Sequence, residues 1–261
     1  MASPFWFPMI DIHSHILPCL DDGSKSWDVT LEMCRLAIED GITHIAATPH
    51  ADDTYSYSRD HVRETIAELS DKIEDRLTFS IGCDFHLSFE NIEAAMLEPH
   101  RFTIAAKQYL LVELSDYGIP PQVSDGLFKL QAAGMVPIIT HPERNGLLQR
   151  RPERILEWLR SGCLVQVTAS SVTGFWGDTA QRTAMWLLEQ NAVHVLASDA
   201  HDHKHRKPIL SEARDVVSMR FGADIARTLV LDNPEAIISG RPLPRTRQGD
   251  HGTGARERLG A

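Results

Sequence analysis

A chain of 261 residues, 43% hydrophobic and 24% charged, is long enough to bury the core of one large α/β domain or of two small ones. Its 26 basic and 36 acidic side chains leave a net charge of −10 with histidine neutral, which argues against sequence-independent nucleic-acid binding and against an anionic membrane surface as partner. The four cysteines, Cys19, Cys34, Cys83 and Cys163, form no CxxC pair and fit a reducing cytoplasm better than a disulfide framework. Met1 to Ile10 is apolar but lacks a basic start, so no signal peptide is expected. No run approaches the ~18 apolar residues of a membrane span, and a soluble, cytoplasmic protein is expected.

Strand and helix patterns alternate along the chain. Met9-Ile10-Asp11-Ile12 reads as the first strand; Val29, Met33, Leu36 and Ala37 then share a helical face that Gly41 ends. A strand over Ile45 to Pro49 precedes a second helical stripe of Val62, Ile66, Leu69 and Ile73. Strands follow at Phe79 to Cys83 and Tyr109 to Val112. Pro121 is expected to open a third helix that Gly134 closes, before a strand over 136–140. A helix over 152–161, a strand at Leu164 to Val167, a helix marked by Ala180, Ala184, Leu187 and Leu188, and a strand at Val193 to Ser198 come next. A helix over 208–220 and short helices over 223–239 close the domain, taken as residues 1–240. Repeated βα units imply a parallel sheet with right-handed crossovers, and seven of them suggest a closed or distorted barrel. The stretch 241–261, rich in Gly, Arg and Pro, is expected to be a disordered tail.

The polar residues at the strand ends carry the chemistry. His13 and His15 follow the first strand, His50 the second, Asp84 the third, Glu113 the fourth, His141 the fifth, and Asp199 with His201 the last. Parallel strands gather all of these at one end of the sheet, the end where barrels place their sites. Any one histidine alone reads best as an ordinary hydrogen-bonded residue; the set reads as a metal cluster. His13 and His15, two apart on a strand, point the same way and suit chelation. Carboxylates mixed with imidazoles, without a thiolate pair, favour Mn, Fe or Zn over a structural Cys-type site. Cys19 and Cys83 are read as packing residues. Asp21-Asp22-Gly23 is a turn signal that gains weight as a ligand source from the preceding HxH. Arg144 and Arg206, each close to a ligand position, suit phosphate oxygens.

Ile10-Asp11-Ile12-His13-Ser14-His15 with Asp21-Asp22-Gly23, Ala47-Thr48-Pro49-His50, His141-Pro142-Glu143-Arg144-Asn145 and Ala197-Ser198-Asp199-Ala200-His201 occur in that order. Together they resemble the polymerase and histidinol phosphatase (PHP) superfamily, and most closely its branch of bacterial manganese-dependent protein tyrosine phosphatases linked to capsule and exopolysaccharide synthesis. Gln166 to Gly177 is similar to a further block of that branch. The resemblance spans roughly residues 9–240 and implies a distorted (β/α)7 barrel with parallel strands, outer helices and three metal ions, Mn2+ foremost with Fe or Zn as alternatives. It assigns His13, His15, Asp84 and Asp199 to the first ion, Asp84, Glu113 and His141 to the second with Asp84 bridging, and Asp22, His50 and His201 to the third. The branch usually carries Glu at the bridging position; Asp84 is one methylene shorter. His86, two residues on, is then a compensating ligand, a substrate contact, or a supporting or surface residue.

The implied reaction is metal-assisted phosphomonoester hydrolysis, with Arg144 and Arg206 orienting the phosphoryl group. The implied substrate is a phosphotyrosine protein, a bacterial tyrosine kinase controlling polysaccharide export. No cysteine is followed six residues later by Arg, which removes the phosphocysteine route; P-loop and GxSxG motifs are absent as well. Histidinol phosphate or another small phosphomonoester is the alternative substrate. The net charge counts against a nuclease. A non-catalytic metal-bearing partner of a kinase is the reading from a different class.

Overall fold

The computed structural model describes residues 7–74 and 76–244. Nine strand segments are found among them: β1 (Met9–Ser14), β2 (Ile42–Ala47), β3 (His50–Ala51), β4 (Thr78–Ile81), β5 (Asp84–His86), β6 (Tyr109–Glu113), β7 (Val136–Thr140), β8 (Leu164–Thr168) and β9 (Val195–Ala197). They pair in the orders β1-β2-β4 and β3-β5-β6-β7-β8-β9, every pairing parallel. The expected seven strands are present, two of them broken. β2 and β3 form one path interrupted at Thr48-Pro49, where Pro49 has no amide hydrogen to give. β4 and β5 form another, interrupted at Gly82-Cys83. The Gly82 N–H to Ala47 and Asp84 N–H to Pro49 carbonyl bonds (3.0 and 3.1 Å) hold the two broken paths together.

The last strand returns to the first. Ser14 and Ala200 form an isolated parallel bridge. The His15 N–H donates to the Ala200 carbonyl and the Asp199 N–H to the His13 carbonyl, both at 2.8 Å. The buried Asp11 carboxylate accepts from the Ser198 N–H at 3.0 Å and from the Ser198 hydroxyl at 2.5 Å. These contacts complete a distorted (β/α)7 barrel.

Side-chain parity places the polar end. Ile10, Ile12, Ala46, Tyr109, Leu111, Ile138, Val195 and Ala197 belong to one inner cluster. Two residues further along the same faces come Glu113 from β6 and Asp199 after β9, so an apolar plug underlies a polar mouth. β1 would break this rule, since Ile10 and Ile12 are followed in parity by Ser14. Its pairing with β2 carries an extra residue between Asp11 and Ser14 opposite Ile45–Ala47, a bulge that re-aims His13 and His15.

Helices fill the crossovers. α1 (Trp27–Asp40) starts where the Ser26 hydroxyl accepts from the Val29 N–H and stops at Gly41, whose φ of 91° lets its N–H reach the carbonyls of Ala37 and Ile38. α2 (Arg59–Ile73) buries Val62, Leu69 and Ile73 as its stripe predicts. Between β5 and β6 the sequence signalled nothing, yet α3 (Phe89–Leu97), α4 (Pro99–Phe102) and a 3-10 turn (Ile104–Ala106) lie there. α5 (Val123–Ala132) begins two residues after Pro121, which lies in the preceding turn. α6 (Gly146–Arg150), α7 (Glu153–Arg160), α8 (Ala169–Val172), α9 (Gly177–Glu189), α10 (Ser211–Phe221), α11 (Ala223–Arg227), a π turn (Thr228–Asp232) and α12 (Asn233–Ser239) follow. No described helix is long and apolar enough to cross a membrane. Of the expected tail, 245–261 lies outside the described residues; Arg241 is tied back through its N–H to Ala236 (2.8 Å) and through its carbonyl to the Tyr109 hydroxyl (2.7 Å).

Candidate metal centre

Three groups of donor atoms, each within 4.8 Å of one another, gather at the barrel mouth: His13, His15 and Asp84; His50, Asp84 and Glu113; and His15, Asp22, His50 and His201. Asp199 and His141 complete the picture. Asp199 Oδ1 lies 3.5 Å from Nε2 of both His13 and His15. His141 Nε2 lies 3.7 Å from Glu113 Oε1 and 3.9 Å from Asp84 Oδ2. All nine residues assigned from the resemblance therefore converge. The grouping differs in that His15 and His50 each face two groups.

Asp84 sits at the crossing. Its Oδ2 is buried, has no hydrogen-bond partner among the described residues, and lies 3.4 Å from His13 Nε2 and 3.6 Å from His50 Nδ1, which is also buried and unpartnered among them. Orphaned donor atoms of this kind are costly unless something binds them. The shorter aspartate still brings this oxygen before three imidazoles, those of His13, His50 and His141. His86, which the sequence leaves open, places Nδ1 3.7 Å from Glu113 Oε2 and is 31% exposed, at the outer edge of the cluster.

A second set of residues aims the first. His13 Nδ1–H donates to Gln166 Oε1 (3.0 Å), His15 Nδ1–H to Asp21 Oδ2 (2.6 Å) and His201 Nδ1–H to the Asp199 carbonyl (3.0 Å). In each ring Nε2 is left facing the cluster, the arrangement metal-ligating histidines favour. Asp21 also accepts from the N–H groups of Gly23 (2.9 Å) and His50 (3.0 Å). Gly23 is required here: a Cβ at that position would lie 2.3 Å from the His15 carbonyl oxygen. Two of the nine assigned residues carry left-handed backbone, His141 (φ 33°) and Asp199 (φ 51°), strain of the kind held at functional sites.

Charge is balanced within the cluster. Burial would depress His13, but the Asp84 and Asp199 carboxylates outweigh it and hold its pKa at about 9. His50 is likewise raised to about 10 against burial by Asp22, Asp84 and Glu113. Burial and the neighbouring His15 lower His201 to about 4. Asp84 and Asp199, whose burial favours the neutral acid, are held well below the carboxylate range, Asp84 chiefly by His13 and Asp199 by His13 and Arg144. Asp199 Oδ2 faces away from the imidazoles and pairs with the guanidinium of Arg144 and with Arg206 Nη2 (2.6 Å). The cluster thus has a buried floor and an open side, where Asp22 is 46% and Glu113 24% exposed.

Sequence reasoning passed over Asp11, Gln166 and the supporting role of Asp21, as well as Glu143, whose fully buried carboxylate accepts from the Thr168 N–H (3.0 Å) and the Ser171 hydroxyl (2.7 Å). It also misjudged Cys19, which is exposed in a tight turn at φ 58°, with its thiol donating to the Lys25 carbonyl; Cys83 does pack in the core.

The family profile for capsular polysaccharide synthesis, CpsB/CapC, matches residues 9–239. This chain belongs to the CpsB/CapC family. The tyrosine-protein phosphatase YwqE of Bacillus subtilis is 30% identical over 241 residues, covering 91% of this chain and 94% of that protein. The tyrosine-protein phosphatase CpsB of Streptococcus pneumoniae is 30% identical over 240 residues, covering 88% and 98%. Among solved structures, one from the work on YwqE and CpsB, described as unique metal-dependent tyrosine phosphatases, superposes with a TM-score of 0.84 at 30% identity and covers 91% of this chain and 97% of that one. A histidinol phosphate phosphatase from Lactococcus lactis shares the fold at a TM-score of 0.55 and 13% identity. The CpsB/CapC match runs from the first strand to the last helix, so it includes every element that carries one of these clustered residues.

Proposed function

We propose that this chain is a metal-dependent protein tyrosine phosphatase, hydrolysing phosphotyrosine on a bacterial tyrosine kinase that controls capsule or exopolysaccharide export. The observation that carries the reading is the pair of orphaned atoms, Asp84 Oδ2 and His50 Nδ1, inside a ring of imidazoles and carboxylates flanked by two arginines. Family membership and the names of the relatives support the substrate class.

The donor set fits a cluster of up to three divalent ions, and we assign Mn2+ as the cofactor. His13, His15, Asp84 and Asp199 would hold one ion, Asp84, Glu113 and His141 a second, and Asp22, His50 and His201 a third, with His15 and His50 placed to serve two. Bound cations would neutralise phosphoryl oxygens and make water a nucleophile near neutral pH. Arg144 and Arg206 are the residues assigned to grip the phosphoryl oxygens that the cations leave free, since both guanidiniums stand on the far side of Asp199 from the imidazoles. Phenolate is a better leaving group than an alkoxide, so a tyrosyl ester needs no strong general acid in the site. His86, partly exposed beside Glu113, is assigned a substrate contact at the rim. The open side of the cluster suits a phosphorylated segment of a protein. Residues 1–240 are taken as the catalytic domain and the cytoplasm as its compartment.

The test is phosphate release by protein stripped of metal and reloaded with Mn, Fe, Zn or Mg, with a phosphotyrosyl peptide and histidinol phosphate offered side by side. Strong Mn- or Fe-dependent release from the peptide, lost in His13→Ala and Asp199→Ala, is expected. Preference for histidinol phosphate would refute the tyrosine phosphatase assignment. Absence of turnover with every metal would refute the hydrolase and return the non-catalytic partner reading.

A further inference from the structure

Arg144 and Arg206 come from different loops, after β7 and after β9, and neither loop alone fixes their relation. Between them in chain order, after β8, stands Trp176. Its indole ring lies 4.0 Å from the Arg144 guanidinium carbon and 5.4 Å from that of Arg206, centroid to carbon. The ring is anchored at one end by its own N–H, which donates to the Ser170 hydroxyl at 2.9 Å. Phe175 meets it edge-on at 5.4 Å. Two guanidiniums side by side repel one another. Here one carboxylate oxygen, Asp199 Oδ2, pairs with both from one side and offsets part of their charge, and an aromatic face offers its negative quadrupole to both. Arg206 Nε is buried and has no hydrogen-bond partner among the described residues, a donor kept free.

We propose that Trp176 is a positioning residue that holds Arg144 and Arg206 together as a preformed pair for the phosphoryl group. The inference rests on the phosphatase reading, in which the arginines meet phosphate. Trp176 touches the arginines and acts through them. A bulky aliphatic side chain could fill the same space, but it would supply no quadrupole and no anchor to Ser170. The arginines would then spend time in orientations that miss the phosphate, and phosphate affinity would fall with no change at the metal positions.

The experiment uses the full-length, metal-loaded protein and its Trp176→Phe and Trp176→Leu variants. Three quantities are read: KM and kcat for a phosphotyrosyl peptide, the inhibition constant of inorganic phosphate, and bound metal per chain. The Leu variant should raise the phosphate inhibition constant and KM in parallel by about tenfold, the scale of a partly buried cation–π contact, with kcat changing less and metal content unchanged. The Phe variant should recover most of the loss, because it restores a π face. In an Arg144→Ala background the Leu penalty should shrink at least threefold, since half of the pair is already gone. Equal effects of Phe and Leu on phosphate inhibition, or an undiminished Leu penalty beside Arg144→Ala, would overturn the proposal while leaving the phosphatase reading intact. Loss of metal with an unchanged phosphate constant would reduce Trp176 to a packing residue and overturn it as well. A wild-type protein that neither hydrolyses the peptide nor responds to phosphate would take down both readings.

Discussion

Metal loading should expel protons, and the number follows from the cluster. A histidine must be neutral to bind a cation. In the metal-stripped protein, His13 holds its proton up to about pH 9 and His50 up to about pH 10, because buried carboxylates face them. At pH 7 these lie about two and three units above ambient, so removing the two protons costs on the order of 3 and 4 kcal/mol of apparent metal affinity. The sign is set by the raised pKa values: affinity rises with pH, about a hundredfold per unit while both groups titrate, and levels off only above their pKa values. Asp84 and Asp199 are already ionised and contribute no proton. Titration calorimetry with Mn2+ at pH 7, in buffers of different ionisation enthalpy, counts the protons directly. About two or more per filled cluster are expected, and about one fewer in His50→Gln. Release of less than one proton would show that both imidazoles are neutral before metal arrives, and the account of a cluster in which imidazolium stands in for metal charge would fail.

Removing either arginine should spare metal content and damage turnover: Arg144→Ala or Arg206→Ala is expected to lower kcat/KM by about 10²–10³-fold, the loss typical of a charge-stabilising donor, measured by steady-state kinetics with the phosphotyrosyl peptide. Gln166→Leu, which deletes the acceptor for His13 Nδ1–H, should weaken Mn2+ binding by about 10–100-fold in the same calorimetry, whereas unchanged affinity would deny Gln166 its orienting role. Far from the site, His194 is lowered to about 4 by burial, and its Nδ1 accepts from the Val165 N–H at 3.2 Å. The unfolded chain therefore binds more protons between about pH 6.5 and 4, so stability falls as pH drops through that window, by up to about 2 kcal/mol at pH 5. Urea unfolding of wild type and His194→Gln at pH 7.5 and pH 5 should show the variant's pH dependence flattened by that amount.

The convergence of the nine assigned residues was legible because they obey a local rule, a donor at the end of an apolar strand. Helices with full stripes and punctuating glycines, such as Trp27–Asp40 with Gly41, were legible for the same reason. What escaped was short or distant. α4, α6 and α8 span four or five residues, too few for a helical period to register, and in the Phe89–Ala106 crossover only α3, of nine residues, is longer. Pro49 is a visible signal that the second strand breaks, although the apolar run Ile45 to Pro49 reads as continuous. The supporting contacts had no local signature at all: Gln166 meets His13 across 153 residues and Ser198 meets Asp11 across 187. Trp176 stood in a block that resembled the family, but nothing in its neighbours told that two arginines from other loops would flank its ring. The β1 bulge was equally silent, since its extra residue shows only when β2 is laid beside it.

The junction of β9 with β1 gives the cluster a second consequence, for the history of the molecule as it folds. β9 is three residues long, and its join to β1 includes one bridge, two main-chain bonds and the contacts of Ser198 with Asp11 and with the His13 carbonyl. His13 and His15 stand on one side of that join and Asp199 and His201 on the other. A cation shared between them, as proposed above, would be a rivet across the barrel's seam, tying the start of the domain to its far end. Closing the seam brings together residues nearly the whole domain apart, an expensive loop that a folding chain completes late. On that assignment metal capture would belong to the last stage of folding, and a filled cluster would slow reopening of the seam. Chelation would leave a barrel with its ring of strands intact and a latch undone.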